Sequence, residues 1–215
     1  TRSGYIVEFN ALWYNALKFY KELAGDKADE SVDVLINKMD TSFVETFLNG
    51  YNYLLDSVSG GYVDWSVRPN MIFTVAFPYS PLNRVQKRAV IDIVTKELVT
   101  PKGLRSLSPK SEGYRPNYVG TQNERDLAYH QGTAWPWLFG AYLESYLKIF
   151  GKGGISFVER MLRSMEEEMS LHCIGTVAEI FDGNPPYTGR GAVSFAMNVA
   201  AILRVLEMLK KYNAE

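Results

Sequence analysis

The apolar positions of this chain step mostly by three and four, a spacing that predicts helices along most of its length. Trp13, Ala16, Leu17, Tyr20 and Ala24 form one such series, with Gly25 as its stop. Val32, Leu35, Ile36, Met39, Phe43 and Phe47 form the next, with Ser31 as the expected N-cap and Gly50 after its end. A short helix is expected over 69–77. Ser80 and Pro81 read as a cap and a first-turn proline, opening a helix to about Val99 that Pro101 prevents from continuing. Thr133 is placed to cap a helix over 135–150, with Pro136 in its first turn and Gly151 at its end. Ile155, Val158, Leu162, Met165 and Met169 mark another, and a long helix over 192–212 closes the series.

Between the helices lie the stretches 51–67, 100–131 and 171–191, rich in Gly, Pro, Asn and Tyr. Loops longer than about 12–15 residues are uncommon and are often functional. Only 103–107 and 177–181 look strand-like. Helices joined by elaborate loops suit an all-α toroid, a ring of paired helices whose loops at one end carry the chemistry. About seven helices are too few to close such a ring, so the expectation is an incomplete part of one. No linker is polar enough to divide the chain, and 1–215 is expected to be a single domain.

Composition narrows the partners. A net charge of −1 without a long basic cluster leaves no footprint for nucleic acid. A membrane span needs roughly 20 apolar residues. The best run here, 193–203, is interrupted by Ser194 and Asn198, so no membrane partner is expected. Cys173 is the only cysteine, which excludes an internal disulfide and fits a reducing compartment. His130 and His172 stand about forty residues apart, outside any metal-ligand spacing, and no Gly-rich phosphate loop follows a strand. Neither a metal nor a cofactor is expected.

Two segments carry candidate chemistry. The run YHQGTAWPW, 129–137, sets two Trp, a Tyr, His130 and the amide of Gln131 beside a helix start. Aromatic faces next to planar hydrogen-bonding groups match a sugar, which has apolar C–H faces and a rim of hydroxyls. The run VAEIFDGNPPYTGRG, 177–191, holds Glu179 between apolar neighbours just ahead of an Asp-Gly turn. Glycoside hydrolysis generally uses two carboxyl groups facing the scissile bond, and Glu179 is the leading base or nucleophile. Its plainer use is a solvated loop carboxylate. Arg68 of RPN could fork onto hydroxyls or pair with an acidic neighbour. Glu8 and Asn10 could equally cap a helix, and Glu124, Arg125 and Asp126 could be a solvated face.

In order along the chain, EFNALWYNAL (8–17), RPN (68–70), GLRSLSP (103–109), YHQGTAWPW and AEIFDG (178–183) resemble the C-terminal glucosidase domain of glycogen debranching enzymes. The resemblance covers nearly the whole chain. It implies an (α/α)6 toroid and an amylo-α-1,6-glucosidase reaction that removes glucose at a branch point with inversion. Glu179 is implied as the base that activates water on the face opposite the leaving oxygen. Glu8, Asn10, Trp13, Arg68, Asn70, Tyr129, His130, Gln131, Trp135 and Trp137 are implied as the substrate-facing lining, and Asp126 is counted with them.

The family's general acid resembles an Asp in a Trp-x-Asp-Ala segment just before the Glu-x-Asn-Ala-Leu-Trp motif, and 1–7 hold no Asp. The acid is therefore expected upstream. Without it the isolated chain is expected to be inactive or weakly active, since a general acid supplies roughly 10²–10⁴ in rate. Met71 stands where Gln is frequent, and Tyr187 and Met197 fall in a region usually richer in His and Trp. The implied partners are an α-glucan, glycogen or a branched oligosaccharide, and the remaining N-terminal part of the same protein, in the cytoplasm. Two other readings stand beside this one: a non-catalytic α-glucan-binding or structural module, and another toroid hydrolase of glucoamylase or trehalase type.

Overall fold

A computed structural model describes residues 2–171 and 174–214. His172 and Cys173, which carried the expectations on metal spacing and disulfides, lie outside the described residues. The chain divides into two compact units. One holds the residues up to Ser66 together with Asn70–Ile93; the other holds Val67–Pro69 and the chain from Val94 onward.

In the first unit, β1 (Tyr5–Ile6) leads into α1 (Val7–Ala24) and then α2 (Glu30–Phe47). The two helices pack through Tyr14, Leu17, Val32 and Ile36. The Tyr14 hydroxyl donates to Asp40 at 2.6 Å, which satisfies its polar tip beside this core. Asp29, not Ser31, caps α2: its carboxylate accepts from the Ser31 N–H at 2.8 Å. Both residues are good caps, and the extended backbone at Asp29 decides between them. The buried face of α1 is Val7, Ala11, Tyr14 and Leu17, whereas Trp13 and Tyr20 of the expected stripe are exposed. Apolar residues surround this helix on nearly all sides, so spacing alone could not pick the inward face. A three-stranded antiparallel sheet, β1 with β2 (Ser57–Ser59) and β3 (Tyr62–Asp64), occupies part of the first long loop. After a 3₁₀ turn at Pro69–Ile72 comes the short α3 (Phe73–Ala76). The next helix, α4 (Arg84–Glu97), starts later than Ser80-Pro81 suggested. Asn83 and Gln86 exchange side-chain-to-backbone bonds at 2.9 and 3.0 Å, a reciprocal cap that outcompetes Ser80.

The second unit is built around α6. Its sheet runs in the order β4 (Val99–Thr100), β5 (Gly103–Arg105), β6 (Ala134–Trp135), β7 (Ile180–Phe181) and β8 (Gly189–Arg190), antiparallel throughout. The helices are α5 (Gln122–Ala128), α6 (Pro136–Phe150), α7 (Ile155–Glu166) and α8 (Ala196–Ala214). Burial covers α6 on most sides, and it packs against α7, α8 and β5. At Gly140 a Cβ would fall on the Ala201 side chain, so glycine permits the close approach of α6 and α8. Glu144, buried on α6, is matched by Arg204 of α8 at 2.7 and 3.0 Å and by Lys148 at 2.8 Å.

The molecule is therefore mainly helical but not all-α: the strand-like pieces 103–107 and 177–181 supply β5 and β7, and the long loops pair into two small sheets. Thr133 does not cap α6. Its hydroxyl donates to the Tyr129 carbonyl at 2.8 Å, and Trp135 is itself the N-cap, in extended conformation with Pro136 behind it. The start of α8 lies four residues past the expected one, because Ala192 is engaged by Glu179.

Candidate active site

The sheet joins the two segments that carry the candidate chemistry. Ala134 of β6 pairs with Phe181 of β7, and Leu104 and Arg105 of β5 pair with Trp135 and Ala134. YHQGTAWPW and EIFDG, about fifty residues apart, thus lie on neighbouring strands.

A capping box sets up the first of them. The Thr121 hydroxyl accepts from the Glu124 N–H, and the Glu124 carboxylate accepts from the Thr121 N–H at 2.7 Å, which starts α5; Tyr129 is its C-cap. The Tyr129 ring meets Trp135 edge-on at 4.7 Å and His130 at 4.8 Å, and His130 stacks on Trp135 at 5.5 Å. Trp135 is buried, and its indole N–H donates to Thr133 and to the Tyr129 carbonyl at 3.1 and 3.3 Å. It supports the half-buried Tyr129 ring and the exposed His130 ring. Arg68 donates to the carbonyls of Ser106 and His130, at 3.1 and 2.8 Å, and to the Gln131 side chain at 2.8 Å. Its fork clamps the loop that presents the rings. Trp137 is half-buried in the first turn of α6.

Glu179 sits half-buried at the bend before β7. One carboxylate oxygen accepts the Tyr129 hydroxyl; the other accepts the Ala192 N–H at 2.8 Å. Its own N–H donates to the Ala192 carbonyl at 2.8 Å. A Cβ at Gly191, whose φ is +69°, would collide with this carboxylate, so glycine is required there both for the turn and for the space. Burial and the adjacent Glu179 charge and hydrogen bond push the Tyr129 phenol above its ordinary value, so it remains a donor throughout the neutral range. Partial burial and the nearby Arg68 charge lower His130, leaving a neutral imidazole at pH 7.

Asp182 performs a different task. It is 4% exposed, accepts the Tyr118 N–H at 2.8 Å, and is ion-paired with Arg190 at 2.8 Å. Arg105 donates to the Gly183 carbonyl at 2.8 Å, the Tyr114 hydroxyl to Asn184 at 2.9 Å, and the Gly183 N–H to the Pro116 carbonyl at 2.7 Å. These bonds stitch the 105–118 segment to the EIFDG turn and bring Tyr118 to 5.7 Å from Tyr129. Residue-by-residue reading gave Tyr118, Arg105 and Arg190 no role; Arg105 lay within GLRSLSP, Arg190 within the run 177–191, and Tyr118 within the Tyr-rich stretch 100–131.

The remaining expected site residues make bonds of their own. Asp126 is exposed and accepts from Gln122 of its own helix at 2.7 Å, with no bond to the Tyr129–Glu179 pair. Glu8, Asn10, Trp13 and Asn70 belong to the first unit. There Arg2 pairs with Glu8 at 2.5 Å and with the buried Asp56 at 2.6 Å, Asn70 donates to Asp56 at 2.9 Å, and Asn10 donates to the Ile6 carbonyl at 2.9 Å. Trp13 is exposed.

The arrangement is a fixed carboxylate with a protonated phenol donor beside two half-buried tyrosine rings and the exposed His130. Solved structures with a matching fold include a GH63 mannosylglycerate hydrolase from Thermus thermophilus in complex with glucose, at a TM-score of 0.64 and 14% identity over 94% of this chain and 47% of that one. An uncharacterized conserved protein from the same organism matches with a TM-score of 0.63 and 14% identity, over 94% of this chain and 46% of that one. The sequence profile of the amylo-alpha-1,6-glucosidase family matches residues 1–204, and the chain belongs to that family. The glycogen debranching enzyme of Saccharomyces cerevisiae is 36% identical over 93 residues, 40% of this chain and 6% of that protein. The chain thus spans under half of the solved relatives and a small part of the curated one. Among the described residues no helix is long and apolar enough to cross a membrane.

Proposed function

We propose that this chain is part of an (α/α)6 glycoside hydrolase that releases glucose from α-1,6 branch points of an α-glucan with inversion, and that Glu179 is the general base. The observation that carries this reading is the Glu179 carboxylate held by the Tyr129 hydroxyl and the Ala192 N–H, with the exposed His130 and half-buried Tyr118 beside Tyr129. Each carboxylate oxygen has two lone-pair sites, so both can accept a further bond from water. Glu179 takes a proton from that water as its oxygen attacks the anomeric carbon. The bond to the leaving oxygen breaks, and that oxygen receives a proton from a second carboxyl group, as inverting enzymes require. By family resemblance this acid is an Asp on a segment preceding Glu8. Tyr129, His130 and Tyr118 offer ring faces to the glucose, and Arg68 and Gln131 hold the loop. Membership of the amylo-alpha-1,6-glucosidase family supports the substrate class. The protein's expected setting is the cytoplasm, where it would meet glycogen.

The test is Glu179→Gln in the enzyme that carries this chain, assayed on a maltooligosaccharide bearing one α-1,6-linked glucose. Turnover should fall by roughly 10²–10⁴, the usual weight of a general base, with KM little changed. Proton NMR of the wild-type reaction should show β-glucose first. Near-normal turnover by the variant would sink the assignment. The alternative, a non-catalytic glucan-binding module, draws on the aromatic cluster alone; it predicts glucan binding by the wild type without glucose release.

A further inference from the structure

One buried polar side chain behind the site has no part in the chemistry above. Asn198, near the start of α8, is 0% exposed. Its amide nitrogen donates to the carbonyls of Ala178 and Glu179, at 2.7 and 2.9 Å. Successive carbonyls of a regular strand point to opposite edges. Here two of them converge on one NH2 group, which fixes the bend at Glu179 just before β7 begins at Ile180.

We propose that Asn198 is a positioning residue for the Glu179 carboxylate; this rests on the reading of Glu179 as the base. The backbone of 177–179 is otherwise tied to the same stretch of chain, because Phe195 N–H donates to the Val177 carbonyl at 3.1 Å and Glu179 N–H to that of Ala192 at 2.8 Å. Main-chain bonds therefore hold the segment's position, while the Asn198 side chain sets the direction of the bend. That direction aims the Glu179 side chain between Tyr129 and Ala192. Since α8 packs on α6 through Gly140 and Ala201, the amide is mounted on a rigid support.

Cost points the same way. The Asn198 amide oxygen is buried and accepts no hydrogen bond among the described residues. A buried, unpaired polar atom is unfavourable, and an apolar residue of similar size would avoid it. The two donated bonds are what distinguish Asn here. Leu has the size without the donors, Ser has one donor on a shorter arm, and Gln is a methylene too long.

The experiment compares Asn198→Leu and Asn198→Ser with wild type and Glu179→Gln in the enzyme carrying this chain, on the same branched oligosaccharide. A displacement of about 1 Å in a reacting group can cost on the order of 100-fold. Asn198→Leu should lower kcat by about 10- to 100-fold with KM within about threefold, and Asn198→Ser should recover part of the loss. If Asn198→Leu does not fold, the Ser variant carries the same split between kcat and KM. Wild-type kcat in the folded variants, with Glu179→Gln inactive, would overturn the role of Asn198 and leave the base intact. So would a loss that appears in KM, or one that only follows the folded fraction. Near-normal turnover by Glu179→Gln would instead remove the reading on which the inference rests.

Discussion

Glu179 and Asp182 stand three residues apart, one on each side of β7, and the protein treats them in opposite ways. Asp182 is 4% exposed and its charge is matched by Arg190, with the Tyr118 N–H on its other oxygen. Glu179 is half-buried and held by a phenol and a backbone amide, with no cation paired to it among the described residues. A cation bound to a carboxylate consumes the charge that a base must use on its proton. Neutral donors fix direction without consuming it. The short strand β7 thus separates a carboxylate that holds loops together from one that is aimed and left reactive.

Substitution should separate these roles, beginning with the largest effect. Glu179→Gln should remove most turnover yet shift the urea midpoint little, because Gln keeps the shape and an acceptor oxygen. Asp182→Ala should reverse the pattern in stability, losing about 2 kcal/mol by urea denaturation, the scale of hydrogen bonds to charged groups. Its activity should fall only as the 105–118 wall loosens. If Asp182→Ala were as stable as wild type and Glu179→Gln were not, the two roles would have to be exchanged. Next comes Tyr129→Phe, which keeps the ring and deletes the donor. It should cost about 1.5–3 kcal/mol of carboxylate positioning, read as a roughly tenfold or greater fall in kcat with glucan affinity retained. Loss of affinity with unchanged kcat would make Tyr129 a binding residue only.

A milder contrast can be drawn with Glu144. Burial works to raise it, but the bonds and charges of Arg204 and Lys148 outweigh burial and hold it below the ordinary glutamate value. A carboxylate lowered in the folded state contributes stability above its unfolded value, near 4.3, and loses it as pH falls through the folded one. Urea midpoints should therefore drop as pH falls below about 4.5, and Arg204→Met should make that drop shallower. At pH 7 the same variant should lose less than about 1 kcal/mol, because Arg204 is largely exposed. An equally steep acid decline in Arg204→Met would place the titrating carboxylate elsewhere.

How much of this was legible in the sequence depended on whether a residue's role was local. Helix spacing located α1, α2 and α7 because each buries a stripe of its own residues, and α6 was located by its first-turn Pro136 and its stop at Gly151. It misjudged the face of α1, where Phe9, Leu12 and Trp13 are as apolar as the buried Ala11 and Tyr14. The strand-like pieces 103–107 and 177–181 overlap β5 and β7, but the two-residue β6 that pairs with both escaped, since so short a strand has no period to read. The importance of Glu179 could be argued from its segment, but its holders, Tyr129, Ala192 and Asn198, come from three separate stretches. Asn198 left a local trace as a polar break in the apolar run 193–203, and only the fold reveals what it bonds.

The smallest expected effect concerns Asp126, where motif position and structure part company. Its place just ahead of YHQGTAWPW suggested a substrate contact. In the structure its carboxylate lies on the exposed side of α5 and accepts from Gln122, one helical turn away. Such i, i+4 side-chain pairs contribute only a few tenths of a kcal/mol to a helix. Asp126→Asn keeps the shape and one acceptor, so kcat, KM and the urea midpoint should all stay at wild-type values. Tyr129, three residues on, should by contrast respond strongly to loss of one hydroxyl. A tenfold rise in KM for Asp126→Asn would show that the exposed end of α5 meets the glucan and would extend the binding surface outward from Glu179.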